Sequence, residues 1–137
     1  MIPRVVIDTN IVIASQKTSN PDSPNQELLD RWHNGEIIWL YSRDTLAEYA
    51  RKLLETGTES KRITNLLARL VVAGEMVYIA KFHEKHYPED PDDIAFLLCA
   101  TNGNSTHLVT YDLHLLALDS YYDFTICKPL EFFAAIG

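Results

Sequence analysis

The sequence predicts an α/β fold with a mostly parallel central sheet of about four to five strands. Three observations support it. Short β-branched apolar runs alternate with segments that carry a helical apolar stripe, an order that builds a parallel sheet with helices on both faces. The apolar runs are continuous, as expected of strands buried on both sides. Two of them, Val5-Val6-Ile7 and Leu108-Val109-Thr110, are followed within two residues by an aspartate. That is where open α/β sheets place their chemistry.

Val5-Val6-Ile7 is the first strand, and a helix begins around Ile11. Residues 17–25 form a polar loop with Pro21 and Pro24. Pro24 opens a helix carrying Leu28, Leu29 and Trp32, which ends near Gly35. Residues 37–40 form the second strand. Ser42 caps a helix over residues 44–55 with Leu46, Tyr49, Ala50, Leu53 and Leu54 on one stripe, and Gly57 breaks it. The next helix covers residues 59–73, with Ile63, Leu66, Leu67, Leu70 and Val71 as its stripe. Residues 76–79 form the third strand. A polar connection over residues 81–92 leads into a helix that runs to Asn102. Residues 108–110 and 124–126 are the fourth and fifth strands. Asp112 is followed by a short helix over residues 113–118, and Pro129 starts a terminal helix with Leu130, Phe133 and Ile136.

At 137 residues the chain is expected to be one domain, residues 1–137, large enough to bury a core without covalent staples. The start Met1-Ile2-Pro3-Arg4 has no secretory pattern, because its apolar run stops at Asp8. No apolar run is long enough to span a bilayer, so no membrane contact is expected. Cys99 and Cys127 lie in apolar segments without metal-like spacing and are expected to be reduced core residues of a cytoplasmic protein. The net charge of −7 argues against gripping nucleic acid by general attraction. It argues less strongly if the acids are gathered around divalent ions, because nucleic-acid binding then depends on the ions and on local Lys and Arg.

Four acids stand at the edges of apolar runs: Asp8, Glu48, Asp93 and Asp112. Asp8 ends a buried strand, and Asn10 is placed to orient it by a hydrogen bond. A helix cap is the alternative role for Asp8. Asp112 leaves the fourth strand as Asp8 leaves the first, with capping again the alternative. In Asp90-Pro91-Asp92-Asp93, capping accounts for Asp90 and Pro91 but does not require three acids in four residues. Glu48 falls roughly opposite the apolar stripe of its helix, where pairing with Lys52 is the plain reading. Carboxylates that converge repel one another unless a cation sits between them, and a divalent metal ion is the simplest. The histidines at 83, 86, 107 and 114 show no zinc spacing, and His33 is expected on a helix surface. The chain has no glycine-rich phosphate loop.

Taken together, these positions resemble the PIN-domain nucleases, and within them the VapC-like toxin branch. Val5-Val6-Ile7-Asp8-Thr9-Asn10 resembles the family's opening motif. Ser42 with Leu46-Ala47-Glu48 resembles the second, Asp90-Pro91-Asp92-Asp93 with Phe96-Leu97 and Ala100 the third, and Val109-Thr110-Tyr111-Asp112 with Leu115-Leu116 the fourth. Lys128-Pro129-Leu130-Glu131-Phe132 resembles the usual ending. Each motif alone is common, whereas the ordered set spans nearly the whole chain.

The resemblance implies a three-layer α/β/α fold. It also implies a Mg²⁺- or Mn²⁺-dependent ribonuclease that cleaves single-stranded RNA. The implied metal-binding and catalytic residues are Asp8, Glu48, Asp93 and Asp112, with Asn10 and Thr110 in support. A separate small antitoxin and a homodimer are the implied partners. Helices carrying Trp32 or the Leu66/Leu70 stripe are the expected dimer face. Arg43, Arg51, Lys52, Lys85 and Lys128 are candidate RNA contacts, and Tyr111, Tyr121 and Tyr122 candidate base-stacking residues. Two other readings remain at this stage. One is a Mg²⁺-binding receiver-type signalling domain, and the other a scaffold of the same fold that binds RNA or protein without cutting. A dehalogenase-type phosphatase is disfavoured, since Asn10 stands where that motif needs a second Asp.

Overall fold

In the computed structural model, which describes residues 1–84 and 86–137, the central strand is β1 (Arg4–Ile7). Val5, Val6 and Ile7 are fully buried, and so is Trp39 in the neighbouring β2 (Ile38–Tyr41). This burial explains the continuous rather than alternating apolar pattern of the strands. β1 pairs with β2 on one side and with β4 (His107–Val109) on the other. β3 (Glu75–Met76) lies beyond β2, and β5 (Thr125–Cys127) beyond β4. The five strands are all parallel, in the order β3-β2-β1-β4-β5.

Among the described residues seven helices complete a three-layer α/β/α fold: α1 (Thr9–Lys17), α2 (Pro24–His33), α3 (Arg43–Glu55), α4 (Ser60–Ala73), α5 (Ile94–Asn102), α6 (Leu113–Leu116) and α7 (Pro129–Ile136). Two 3₁₀ turns, Pro91–Asp93 and Asp119–Tyr121, precede α5 and β5. Ser42 caps α3 as its position suggests: its hydroxyl accepts from Thr45 N at 3.2 Å while Thr45 Oγ1 accepts from Ser42 N at 2.8 Å.

An aromatic chain of Trp32, Trp39, Tyr49 and Phe96 ties α2, β2, α3 and α5 together, with neighbouring ring centroids 4.9, 5.6 and 5.7 Å apart. Tyr49 is buried, and its hydroxyl donates to the Ile7 carbonyl at the end of β1. That bond pins α3 beside the carboxyl end of the central strand. Cys99 and Cys127 are free and buried, and burial pushes both thiols up to about 12.

The structure corrects several expectations. The first helix starts at Thr9, directly after Asp8, because Asp8 itself caps it. The third strand is two residues long and lies earlier than residues 76–79. One further ladder bond, Val77 N to Tyr41 O at 2.7 Å, extends it, and Tyr78 beyond is exposed. The order β3-β2-β1-β4-β5 also differs from the 2-1-3-4-5 order of receiver domains, which removes the signalling alternative.

Trp32, Leu66 and Leu70 are core residues, whereas Val71 and Val72 on the α4 helix are exposed. No helix among the described residues is long and apolar enough to cross a membrane.

A carboxylate cluster at the strand ends

β1 lies between β2, reached directly through α1 and α2, and β4, reached only after the chain has built the far edge. The crevice between β1 and β4 is therefore the point where strand order reverses. The register Ile7↔Val109 aligns the two strand ends, and Asp8 N donates to Val109 O at 3.0 Å. Asp8 is thus the residue that enters the crevice first. Its Oδ1 accepts from Thr9 N at 2.8 Å and its Oδ2 from Thr110 Oγ1 at 2.6 Å. The same Thr110 hydroxyl accepts from Asp112 N at 2.9 Å. One buried hydroxyl therefore sets the positions of two acids.

The orienting bond expected from Asn10 is made by Thr110 and Thr9 instead. Asn10 is exposed. Asp112 caps α6, with Oδ1 accepting from His114 N at 2.8 Å and Leu115 N at 3.1 Å. Capping and a role in the crevice are compatible here, because the cap uses one oxygen.

Asp93 closes the 3₁₀ turn that opens α5. The turn begins with Asp90, whose Oδ1 accepts from Asp92 N at 3.0 Å. Asp93 is 7% exposed, and its Oδ2 is buried without a hydrogen-bond partner. Burial pushes its carboxyl up to about 7, helped by the negative charges of Asp8 and Asp112 and then of Asp90 and Asp92. Burial also raises Asp8, with Thr110 and Thr9 opposing the shift and Asp112 and Asp90 adding to it. The structure thus brings Asp8, Asp93 and Asp112 within electrostatic reach of one another.

Glu48 is held differently. It sits on α3 next to the Tyr49 anchor, but its oxygens are gripped by Arg51 at 2.8 and 2.9 Å. Arg51 also reaches Glu55 at 3.1 Å and Asp92 at 3.4 Å. The expected partner, Lys52, approaches Glu55 instead, at 3.8 Å. Glu48 therefore joins the crevice acids only indirectly, through a guanidinium that spans to the Asp92–Asp93 turn.

The chemistry of the donors fits a hard divalent ion. Three carboxylates, one of them with an unpartnered buried oxygen, offer only oxygen ligands. Among the described residues no three carboxylates, imidazoles or thiols form a ready-made cage. Mg²⁺ does not need one, because it keeps several waters and uses one or two carboxylates plus substrate phosphate.

Thr9, Tyr49 and Arg51 were not singled out as site-building residues by the sequence. Thr9 Oγ1 is buried without a partner beside Asp8. Its place between Asp8 and Asn10 was the one available signal. Nothing in the local pattern marked Tyr49 as other than core. Of the candidate RNA contacts, Arg51 is taken by acids, and Lys85 lies outside the described residues. Among the stacking candidates, Tyr122 is tied to Glu84 and His86 at 3.0 and 3.1 Å, and Tyr121 stacks on His86 at 3.8 Å. Tyr111 is 39% exposed beside Asp112.

No curated protein sequence matches this chain. Among solved structures, a chain of VapBC2 from Rickettsia felis, crystallised with a DNA fragment from their promoter, shares the fold. Its TM-score is 0.58 and its identity 16%, over 90% of this chain and 96% of that one. The PIN domain family matches residues 4–114, a span that contains Asp8, Glu48, Asp93 and Asp112. The chain belongs to the PIN domain family.

Proposed function

We propose that the protein is a divalent-metal-dependent endoribonuclease that cleaves single-stranded RNA. The observation that carries this reading is the unpartnered, buried oxygen of Asp93 facing the like charges of Asp8 and Asp112. Such an arrangement costs stability unless a cation completes it. Membership of a family whose domains are generally nucleases supports the chemistry.

Asp8, Asp93 and Asp112 would hold the ion, with Glu48 available once Arg51 releases it. A hard divalent ion supplies an acidified water and neutralises charge on the phosphodiester. Thr110 keeps Asp8 and Asp112 in fixed relation, so the acids need not rearrange as RNA binds. A carboxylate of the cluster that the ion leaves uncoordinated can accept a proton from the attacking water. Tyr111 at the rim is free to stack on a base. In-line attack on phosphorus then leaves 5′-phosphate and 3′-hydroxyl ends.

The likeness to a VapBC2 chain supports a biological role as the toxin of a toxin–antitoxin pair, with a separate small antitoxin as partner. Homodimerisation belongs to the same reading, and the exposed Val71 and Val72 leave α4 available for it.

Asp8→Asn is nearly isosteric. It is expected to reduce cleavage of a labelled RNA by at least about 100-fold in Mg²⁺ or Mn²⁺ while leaving the circular dichroism spectrum intact. Full activity in that variant, or cleavage that persists in EDTA, would overturn the reading. Metal-independent RNA binding without cleavage would favour a non-cutting scaffold.

A further inference from the structure

A chain of net charge −7 that handles RNA must keep some cations free of carboxylates. Half of the six arginines are not free. Arg4 is paired with Glu75, Arg31 with Glu27, and Arg51 with Glu48, Glu55 and Asp92. Arg62 and Arg69 have only neutral partners among the described residues: Arg62 donates to Gln16 Oε1 at 3.3 Å, and Arg69 meets His33 Nε2 at 3.4 Å. Burial and the Arg69 charge lower His33, so this ring is no counter-charge.

Both arginines line one cleft of about 750 Å³ between α1, α2 and α4, and no Asp or Glu lines it. They are seven residues apart on α4. Two helical turns therefore put them on the same face, about 10 Å apart along the axis. That separation matches roughly three nucleotides of a stacked single strand.

Two helices link the cleft to the carboxylate crevice. α1 starts at its cap Asp8 and brings Gln16 to the cleft about 12 Å further along its axis. α2 does the same from the other side. Asn25 stands beside Tyr111, and the next residue, Gln26, lines the cleft. A strand that follows these helices away from the acids comes to Arg62. The remaining polar lining is made of amides such as Gln16, Gln26 and Asn65, which can bond base edges and 2′-hydroxyls.

We propose that the α1–α2–α4 cleft is a subsite for the backbone of single-stranded RNA, in which Arg62 and Arg69 take phosphates several nucleotides from the scissile bond. The proposal builds on the nuclease reading above. An acidic peptide would meet the same charges, but the repeat spacing of the arginines and the helices shared with the crevice favour a polynucleotide.

The test uses the full chain carrying Asp8→Asn, so that bound RNA is not cut, with and without Arg62→Gln and Arg69→Gln. Anisotropy of a fluorescein-labelled oligouridine of about twelve nucleotides measures binding across a salt series. The double arginine change is expected to weaken binding about tenfold at low salt and to reduce the slope of log K against log salt by about 1.4. Arg31→Gln, outside the cleft, is expected to change neither. With Asp8 intact, the double change is expected to slow cleavage of the long oligonucleotide and spare one of about four nucleotides.

Unchanged affinity and slope would overturn the proposal. So would arginine-dependent binding of polyglutamate in the absence of arginine-dependent binding of RNA. If the intact chain cuts neither oligonucleotide but still binds the long one through Arg62 and Arg69, the nuclease reading fails and the cleft assignment stands.

Discussion

Asp93 concentrates the energetics of the site in one side chain. It is buried, one oxygen has no partner, and its nearest charged neighbours are acids. Folding without an ion therefore works against this residue, a familiar trade of stability for function. Asp93→Asn removes the repulsion and is expected to raise the melting temperature of the EDTA-treated protein by a few degrees. Mn²⁺ at about 100 times its dissociation constant is expected to stabilise the natural chain by about 2.7 kcal/mol and the variant far less. Differential scanning fluorimetry with and without Mn²⁺ measures both. A variant that melts lower in EDTA and still gains fully from Mn²⁺ would contradict this account. Thr110 shows the complementary economy, since a single hydroxyl fixes Asp8 and the backbone before Asp112.

At the scale of elements, the site depends on how α3 meets the turn that precedes α5. Tyr49 pins α3 to the end of β1, and Arg51, half a turn further on, ties Glu48 to the Asp92 side of the turn. A guanidinium in that position neutralises carboxylates when no metal is bound. It also has to give up Glu48 before that residue can approach an ion. Arg51→Ala is accordingly expected to tighten Mn²⁺ binding several-fold in isothermal titration calorimetry, with little change in melting temperature because the pair is solvent-accessible. Weaker Mn²⁺ binding would mean that Arg51 holds Glu48 in its working position instead of competing for it. The capping aspartates follow a similar logic: Asp8 and Asp112 each start a helix and still border the crevice, so anchoring and chemistry use the same residues.

For the whole molecule the question is how an acidic chain binds a polyanion. Its net charge of −7 predicts repulsion at long range, so binding must rely on local cations and on ions held by the crevice. RNA affinity of the natural chain is therefore expected to rise several-fold when Ca²⁺ replaces EDTA at constant ionic strength, read by anisotropy of a labelled oligouridine. An affinity indifferent to divalent ions would assign the binding to basic side chains alone. The parallel strand order supports this division of labour. It places the acids at one reversal point, while the arginines of the α1–α2–α4 cleft keep only neutral partners among the described residues.

The pattern of apolar runs and helical stripes was enough to predict the α/β class, the parallel sheet and nearly every helix, because burial on both faces leaves a period that can be read locally. The ends of elements were less legible. The third strand shrinks to Glu75–Met76 because an edge strand is held by pairing on one side only. Asp8, Asp93 and Asp112 were visible as acids at the boundaries of apolar runs, since an acid in that position contradicts its surroundings.

Tertiary structure alone decided which groups meet. Asp8 and Thr110 are 102 residues apart in the chain and joined by a 2.6 Å bond, which only the β1–β4 register can bring about. Glu48 found Arg51 rather than Lys52, because α3 faces the acidic turn before α5. Leu66 is core while Val71 of the same stripe stays exposed, because a helical stripe does not reveal which of its members a neighbour in the same chain covers. Periodicity is a local property and survives in the sequence; register, charge pairing and the covering of faces are long-range contacts that arise only when the chain closes on itself.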